Sequence, residues 1–420
     1  MGRTKEAWLA DSDRTYFQER GEQFVCADCV ADPFLRETLE IAAVDQACSF
    51  CGLSPSADLL VLLEEVEDFL TTEYEDPVHS LMYVTKEGGY QGTVNTGYEL
   101  VLDLLAPWFN SDDALGAVAT AFGDSYWCER DYFRLKHDER LKFGWERFSE
   151  QVKHRTRYRF FDLTFEESDS DDGVSPGKML GELGTLFDDF NLFRMIREGS
   201  TVFRARVHDV GLRPSTAEQL RPPPRANAMQ SNRMSPAGIS MFYGAFDEET
   251  AVKETFDPTL CKCKMEVVTV AEFRARRDLL TVDLTDLPDS PSPFDRDKRH
   301  LRRPLWFLRE FVQELSQPIR RDGREHVEYV PTQVVTEFLR FRHRGADERP
   351  IEGLVYNSAR KGGKAAVVLF LGPEECGPRR REEEVWLAEE ILSLRKFTRQ
   401  CPRCDRLLSS GSLEDKLEVE

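Results

Sequence analysis

Four cysteines near the start of the chain carry the plainest chemistry. Cys26 and Cys29 form one C-x-x-C pair, Cys48 and Cys51 form another, and 18 residues separate the two pairs. A C-x-x-C turn aims two sulfurs at one ion, and two such turns make a four-thiolate zinc site with no open position, hence structural and not catalytic. Cys401 and Cys404 are half of a further site, which Cys261 and Cys263 could complete if the tail folds back.

These turns need elements to hold them. From Ser56 onward Leu59, Leu60, Leu62, Leu63, Val66, Phe69 and Leu70 recur at three- and four-residue steps, the stripe of one buried helical face. Further helices are expected at 100–109, 114–122 and 126–152, so this block reads as mostly α. An acidic stretch, 164–178, reads as a linker, and a helix is expected at 179–196. The pattern then changes. Strand-like runs at 201–208, 239–243, 265–270, 279–284, 353–356 and 366–371 alternate with helical ones at 250–256, 301–315 and 332–341, which predicts an α+β domain. A last helix is expected at 382–397. The resulting division is a zinc-binding segment (1–55), an α-helical domain (56–163), the linker (164–178), the α+β domain (179–375) and a tail (376–420).

Composition narrows the function. The 420-residue chain has a net charge of −20, which argues against a general nucleic-acid binder, because phosphate contact needs a basic surface. Mean hydropathy is −0.48, and no apolar run approaches the ~18 residues of a membrane span. The first residues lack a hydrophobic leader core. A cytoplasmic protein is expected.

A second constellation lies farther on. The segments FRARVHD (203–209), SNRMSPAGISMFYGAFDEETAVKE (231–254), YVPTQVVTEFL (329–339) and GLVYNSARKGGKAAVVLF (353–370) occur in that order. Together they resemble the RES-domain family over about 175 residues. The resemblance implies an ADP-ribosyltransferase-like fold that takes NAD as substrate and cleaves its nicotinamide–ribose bond, in toxin or defence proteins. By motif, the opening arginine is Arg204, the central arginine Arg233, the following tyrosine Tyr243, the helical glutamate Glu254 and the serine Ser358. Many members have Gly-Arg where this chain has Asn232-Arg233, and Asn232 is itself a candidate ligand contact.

The residue types suit that chemistry. Arginine offers a planar, permanently charged fork for pyrophosphate oxygens, a role for Arg204 and Arg233. Arg206 would share the face of Arg204 by strand alternation. A carboxylate, Glu254, can stabilise an oxocarbenium-like state. Tyr243 can stack on nicotinamide while its hydroxyl bonds. Asn357 and Ser358 suit ribose hydroxyls or the carboxamide, and Gln333 is a candidate support residue.

The α-helical block resembles the HEPN-related N-terminal domains attached to some RES proteins. Some HEPN domains cleave RNA with an Arg…His pair, and Arg130 and His137 would lie seven apart on one helical face. Three activities follow: NAD cleavage by water or phosphate, protein mono-ADP-ribosylation, and a HEPN-type ribonuclease or RNA-binding module. Of partners, an antitoxin or other regulatory protein and a second copy of the chain remain open, and neither membrane nor nucleic acid is expected.

Overall fold

The computed structural model describes residues 16–18, 21–86, 88–160, 173–256, 266–317, 323–358, 364–378, 381–382, 385–386, 389–400 and 407–412. The chain forms two compact units. One is Met1–Lys136 with Ser290–Arg303, the other His137–Asp289 with Pro304–Glu420.

In the first unit four helices, α1 (Pro33–Ile41), α2 (Leu59–Glu73), α3 (Gly97–Leu105) and α4 (Asp112–Phe122), have explicit start signals. Asp32 caps α1, Asp58 caps α2 and Ser111 caps α4, while Thr96 and Glu99 form a capping box on α3. Each supplies acceptors for N–H groups that a first turn leaves unpaired. The expected stripe on α2 is the buried one: Leu62, Leu63, Val66 and Leu70 pack with Val101, Leu105, Val118 and Phe122. The segment Ser290–Arg303 adds buried Phe294, edge-on to Phe69 at 5.3 Å, and ion pairs Arg299–Asp68 and Arg303–Glu73.

The second unit is built on a nine-stranded mixed sheet. Its strands are β1 (Phe193–Ile196), β2 (Thr201–Asp209), β3 (Phe242–Ala245), β4 (Glu266–Ala275), β5 (Leu279–Asp283), β6 (Gly353–Asn357), β7 (Ala365–Leu369), β8 (Leu392–Gln400) and β9 (Leu407–Ser412), in the spatial order β9-β8-β4-β2-β3-β7-β6-β5-β1. All neighbours are antiparallel except β5 and β6. Helices α5 (His137–Glu150), α6 (Pro176–Asp189), α7 (Glu248–Thr255), α8 (Arg302–Ser316) and α9 (Val330–Phe341) complete it. Leu141, Phe148, Phe187, Leu308, Phe311 and Leu339 are core residues here. The α+β class expected from the sequence is the class observed.

Three helices expected from the sequence are corrected. Tyr126–Glu129 is a strand, with Trp127 and Cys128 buried, and α5 begins only at His137. Helix α6 begins at Pro176, inside the expected linker, and ends at Asp189. Asn191 then takes φ 48° and the chain turns into β1. In the tail, 392–400 pairs with β4 as a strand instead of forming a helix. The acidic residues 166–172 and the cysteine pairs 261/263 and 401/404 lie outside the described residues.

Candidate functional site

Strand β3 pairs with β7 over its whole length but with β2 at one position, Ala245 opposite Phe203. That contact needs the glycine next to it. A Cβ on Gly244 would lie 2.7 Å from the Phe203 carbonyl oxygen, closer than side-chain atoms come. Where the ladder stops, Arg204 takes over the link: its Nη1 donates to the Tyr243 carbonyl at 2.8 Å.

A cavity of about 390 Å³ opens at this place, lined by Arg204, Asn232, Ser235, Tyr243, Glu254 and Tyr356 among others. That volume is at the small end of ligand sites, about 300–1,000 Å³. Arg204 and Glu254 thus face one space although they lie 50 positions apart in the chain.

Burial marks the groups around the cavity. It lowers the Arg204 guanidinium to about 10, which leaves it charged at neutral pH. Arg204 Nε is buried without a hydrogen-bond partner among the described residues. Burial raises Tyr243 to about 12 despite hydrogen bonds from Ser235 and the Met234 backbone. It also raises Tyr356, helped by the neighbouring Glu254 carboxylate.

Helix α7 carries Glu254 and is started by Asp247, whose carboxylate accepts from Thr250 N at 2.9 Å. Glu254 sits in the last turn, at the negative end of the helix dipole, where a carboxylate is disfavoured by about 0.3–1 kcal/mol. The Ser358 hydroxyl donates to Glu254 Oε1 and offsets that cost. Ser358 follows the end of β6, and its N–H is held by Lys364 O at 3.1 Å.

The loop 231–235 is fixed from helix α9. Gln333, nearly buried, donates through Nε2 to Ser231 Oγ at 2.8 Å and Asn232 O at 2.7 Å. Thr332 donates to the Arg233 carbonyl, and Asn232 and Ser235 pair through their backbones. Gln333 is therefore a support residue.

Three expected site residues, Arg233, Asn357 and Ser358, stand apart from the cavity lining. Arg233 donates to the carbonyls of Leu315 and Gln317 at the end of α8. A cation is favoured there by the helix dipole and by unpaired terminal carbonyls. Arg233 lines a neighbouring cavity of about 350 Å³ with Asn232, His326 and Tyr329. The joint grip of two arginines on one cavity, expected from the sequence, is thus replaced by one arginine in each of two cavities that share Asn232. Asn357 ends β6 opposite Ala365. Arg206, the substitute for Arg204, donates instead to the Gln219 carbonyl.

In the first unit the four expected cysteines converge. Sγ–Sγ separations are 3.7 Å for Cys26–Cys29, 3.3 Å for Cys26–Cys51 and 3.6 Å for Cys29–Cys48, and all four sulfurs lie within 4.8 Å of one another. Sulfurs around a tetrahedral ion with bonds of about 2.3 Å sit roughly 3.8 Å apart, so the donor set fits a metal. The turn that presents Cys48 is closed by Gly52 N to Cys48 O at 2.9 Å. Arg130, in contrast, follows the Tyr126–Glu129 strand in a turn and bonds to Thr71 O at 2.9 Å. It therefore shares no helical face with His137.

Residues 201–387, which hold the cavity, match the RES domain. Residues 42–165 match HEPN/RES N-terminal domain 1, so the chain belongs to the RES-domain proteins that carry this N-terminal domain. RES domains are associated with NAD-related toxin and defence activity. No curated protein matches the chain.

Proposed function

We propose that the chain degrades NAD by cleaving the bond between nicotinamide N1 and ribose C1′, as a toxin or defence effector acting in the cytoplasm. The observation that supports this most is the sharing of one cavity by Arg204 of β2, Tyr243 of β3 and Glu254 of α7. Arg204 binds pyrophosphate, with Arg233 taking part from the adjoining cavity. Tyr243 packs on nicotinamide, and Asn232, Asn357 and Ser358 orient the ribose and carboxamide.

In the reaction the glycosidic electron pair leaves with nicotinamide, whose ring becomes neutral. C1′ becomes oxocarbenium-like, and the Glu254 carboxylate stabilises that positive charge. Water or phosphate then adds to C1′, and when water adds a proton is released. In the first unit Cys26, Cys29, Cys48 and Cys51 hold a structural zinc.

The test is to incubate the chain with NAD, with and without inorganic phosphate, and to separate the products. Free nicotinamide with ADP-ribose is expected for hydrolysis, and with ADP-ribose 1-phosphate for phosphorolysis. Label from NAD attached to a protein would instead favour mono-ADP-ribosylation in the same cavity. Intact NAD under every condition would reject the proposal.

A further inference from the structure

Ser235 was not among the residues singled out by motif, yet it lies at the centre of the contacts around Tyr243. Its side chain is 1% exposed. Its Oγ is 2.9 Å from the Tyr243 hydroxyl, and it lines the same cavity. Its backbone is doubly tied: Ser235 N donates to Asn232 O at 3.3 Å, and Asn232 N donates to Ser235 O at 2.8 Å. Asn232 O in turn accepts from Gln333. The tyrosine is therefore held at both ends, its carbonyl by Arg204 and its hydroxyl by Ser235.

We infer that Ser235 is a positioning residue whose hydroxyl fixes the Tyr243 ring against the cavity. This rests on the reading of the cavity as the NAD site. A tyrosine ring is free to rotate about two side-chain bonds, and a stacking surface works only when those rotations are stopped. Apolar packing against the core cluster limits the ring along its body, and its polar tip is met by Ser235 Oγ at 2.9 Å together with the Met234 backbone. The serine's loop is in turn tied to helix α9 through Thr332 and Gln333. The hydroxyl pair is thus a stop for the ring.

The test is a double-mutant cycle with Ser235→Ala, Tyr243→Phe and the double variant, backed by Ser235→Thr. Loss of one neutral hydrogen bond corresponds to a fall in kcat/KM for NAD of about 3–10-fold. Ser235→Ala is expected to show that fall, expressed mainly in KM, and Ser235→Thr to recover most of it. In the Tyr243→Phe background Ser235→Ala is expected to add little further loss, since the contact is already gone. Independent losses in the double variant would overturn the inference and show that Ser235 acts on packing alone.

The NMR signal of the Tyr243 phenolic carbon, read in the ligand-free protein, separates this inference from the functional one. A shift on Ser235→Ala in a chain that leaves NAD intact would retain the positioning contact and reject NAD cleavage. No shift would reject the contact whatever the activity.

Discussion

The Ser358 hydroxyl donates a hydrogen bond to the Glu254 carboxylate, joining the end of β6 to the last turn of α7. Two residues 104 positions apart thereby fix one acceptor at the cavity wall. A hydrogen bond to a charged group contributes about 1.5–3 kcal/mol. We expect Ser358→Ala to lower kcat by about 10–100-fold with a smaller change in KM. Steady-state kinetics of nicotinamide release would check this, and an unaltered kcat would count against the pairing as a functional feature.

Arg233 is expected to report on stability as well as turnover. Its guanidinium satisfies two carbonyls at the end of α8, so Arg233→Ala leaves them without that donor. We expect a loss of about 1–3 kcal/mol of unfolding free energy, measured by chemical denaturation, together with weaker NAD binding by calorimetry. Weaker binding with unchanged stability would mean that the capping contact is not maintained in solution.

Tyr243 is expected to remain protonated throughout the working range of an enzyme. Burial raises it to about 12, above its ordinary value of 10.0. Between those two values the unfolded chain has lost this proton and the folded chain still holds it. Stability from this group is therefore complete below pH 10 and declines as pH rises toward 12. Site-resolved NMR titration of the phenolic carbon should show a flat signal to pH 10. Ionisation near 10 would contradict the burial.

The four-thiolate cluster is expected to bind one zinc per chain, countable by elemental analysis. Cys29→Ser should lower that content and destabilise the first unit, because metal binding and folding are coupled. A chain that is fully folded and metal-free by the same analysis would remove the structural role.

Some of this was legible in the sequence for a simple reason. The C-x-x-C turns and the α2 stripe are local patterns, and local geometry was enough to bring Cys26 to Cys51 and to bury Leu62 and Val66. Arg204, Tyr243 and Glu254 were found through motif order, and β2, β3 and α7 bring them to one cavity. What failed depended on long-range pairing. The stretch around Leu392–Gln400 has helix-forming composition, yet its backbone completes a ladder with Glu266–Ala275, and tertiary pairing overrides propensity. Phe193 continued the apolar count of α6 but belongs to the strand after it. Gly244 and Ser235 carried no local signal, since their importance comes from Phe203 and Tyr243 lying beside them in space.

The carboxylate at the cavity is the element on which NAD cleavage depends most directly. The decisive measurement is nicotinamide release from NAD by wild type and by Glu254→Gln, which keeps the side chain's size and removes its charge. We expect a fall of at least about 100-fold, the scale for losing one electrostatic stabiliser of the transition state, with the unfolding temperature essentially retained. Equal release by a folded Glu254→Gln chain would contradict the assignment of this cavity as the site of chemistry.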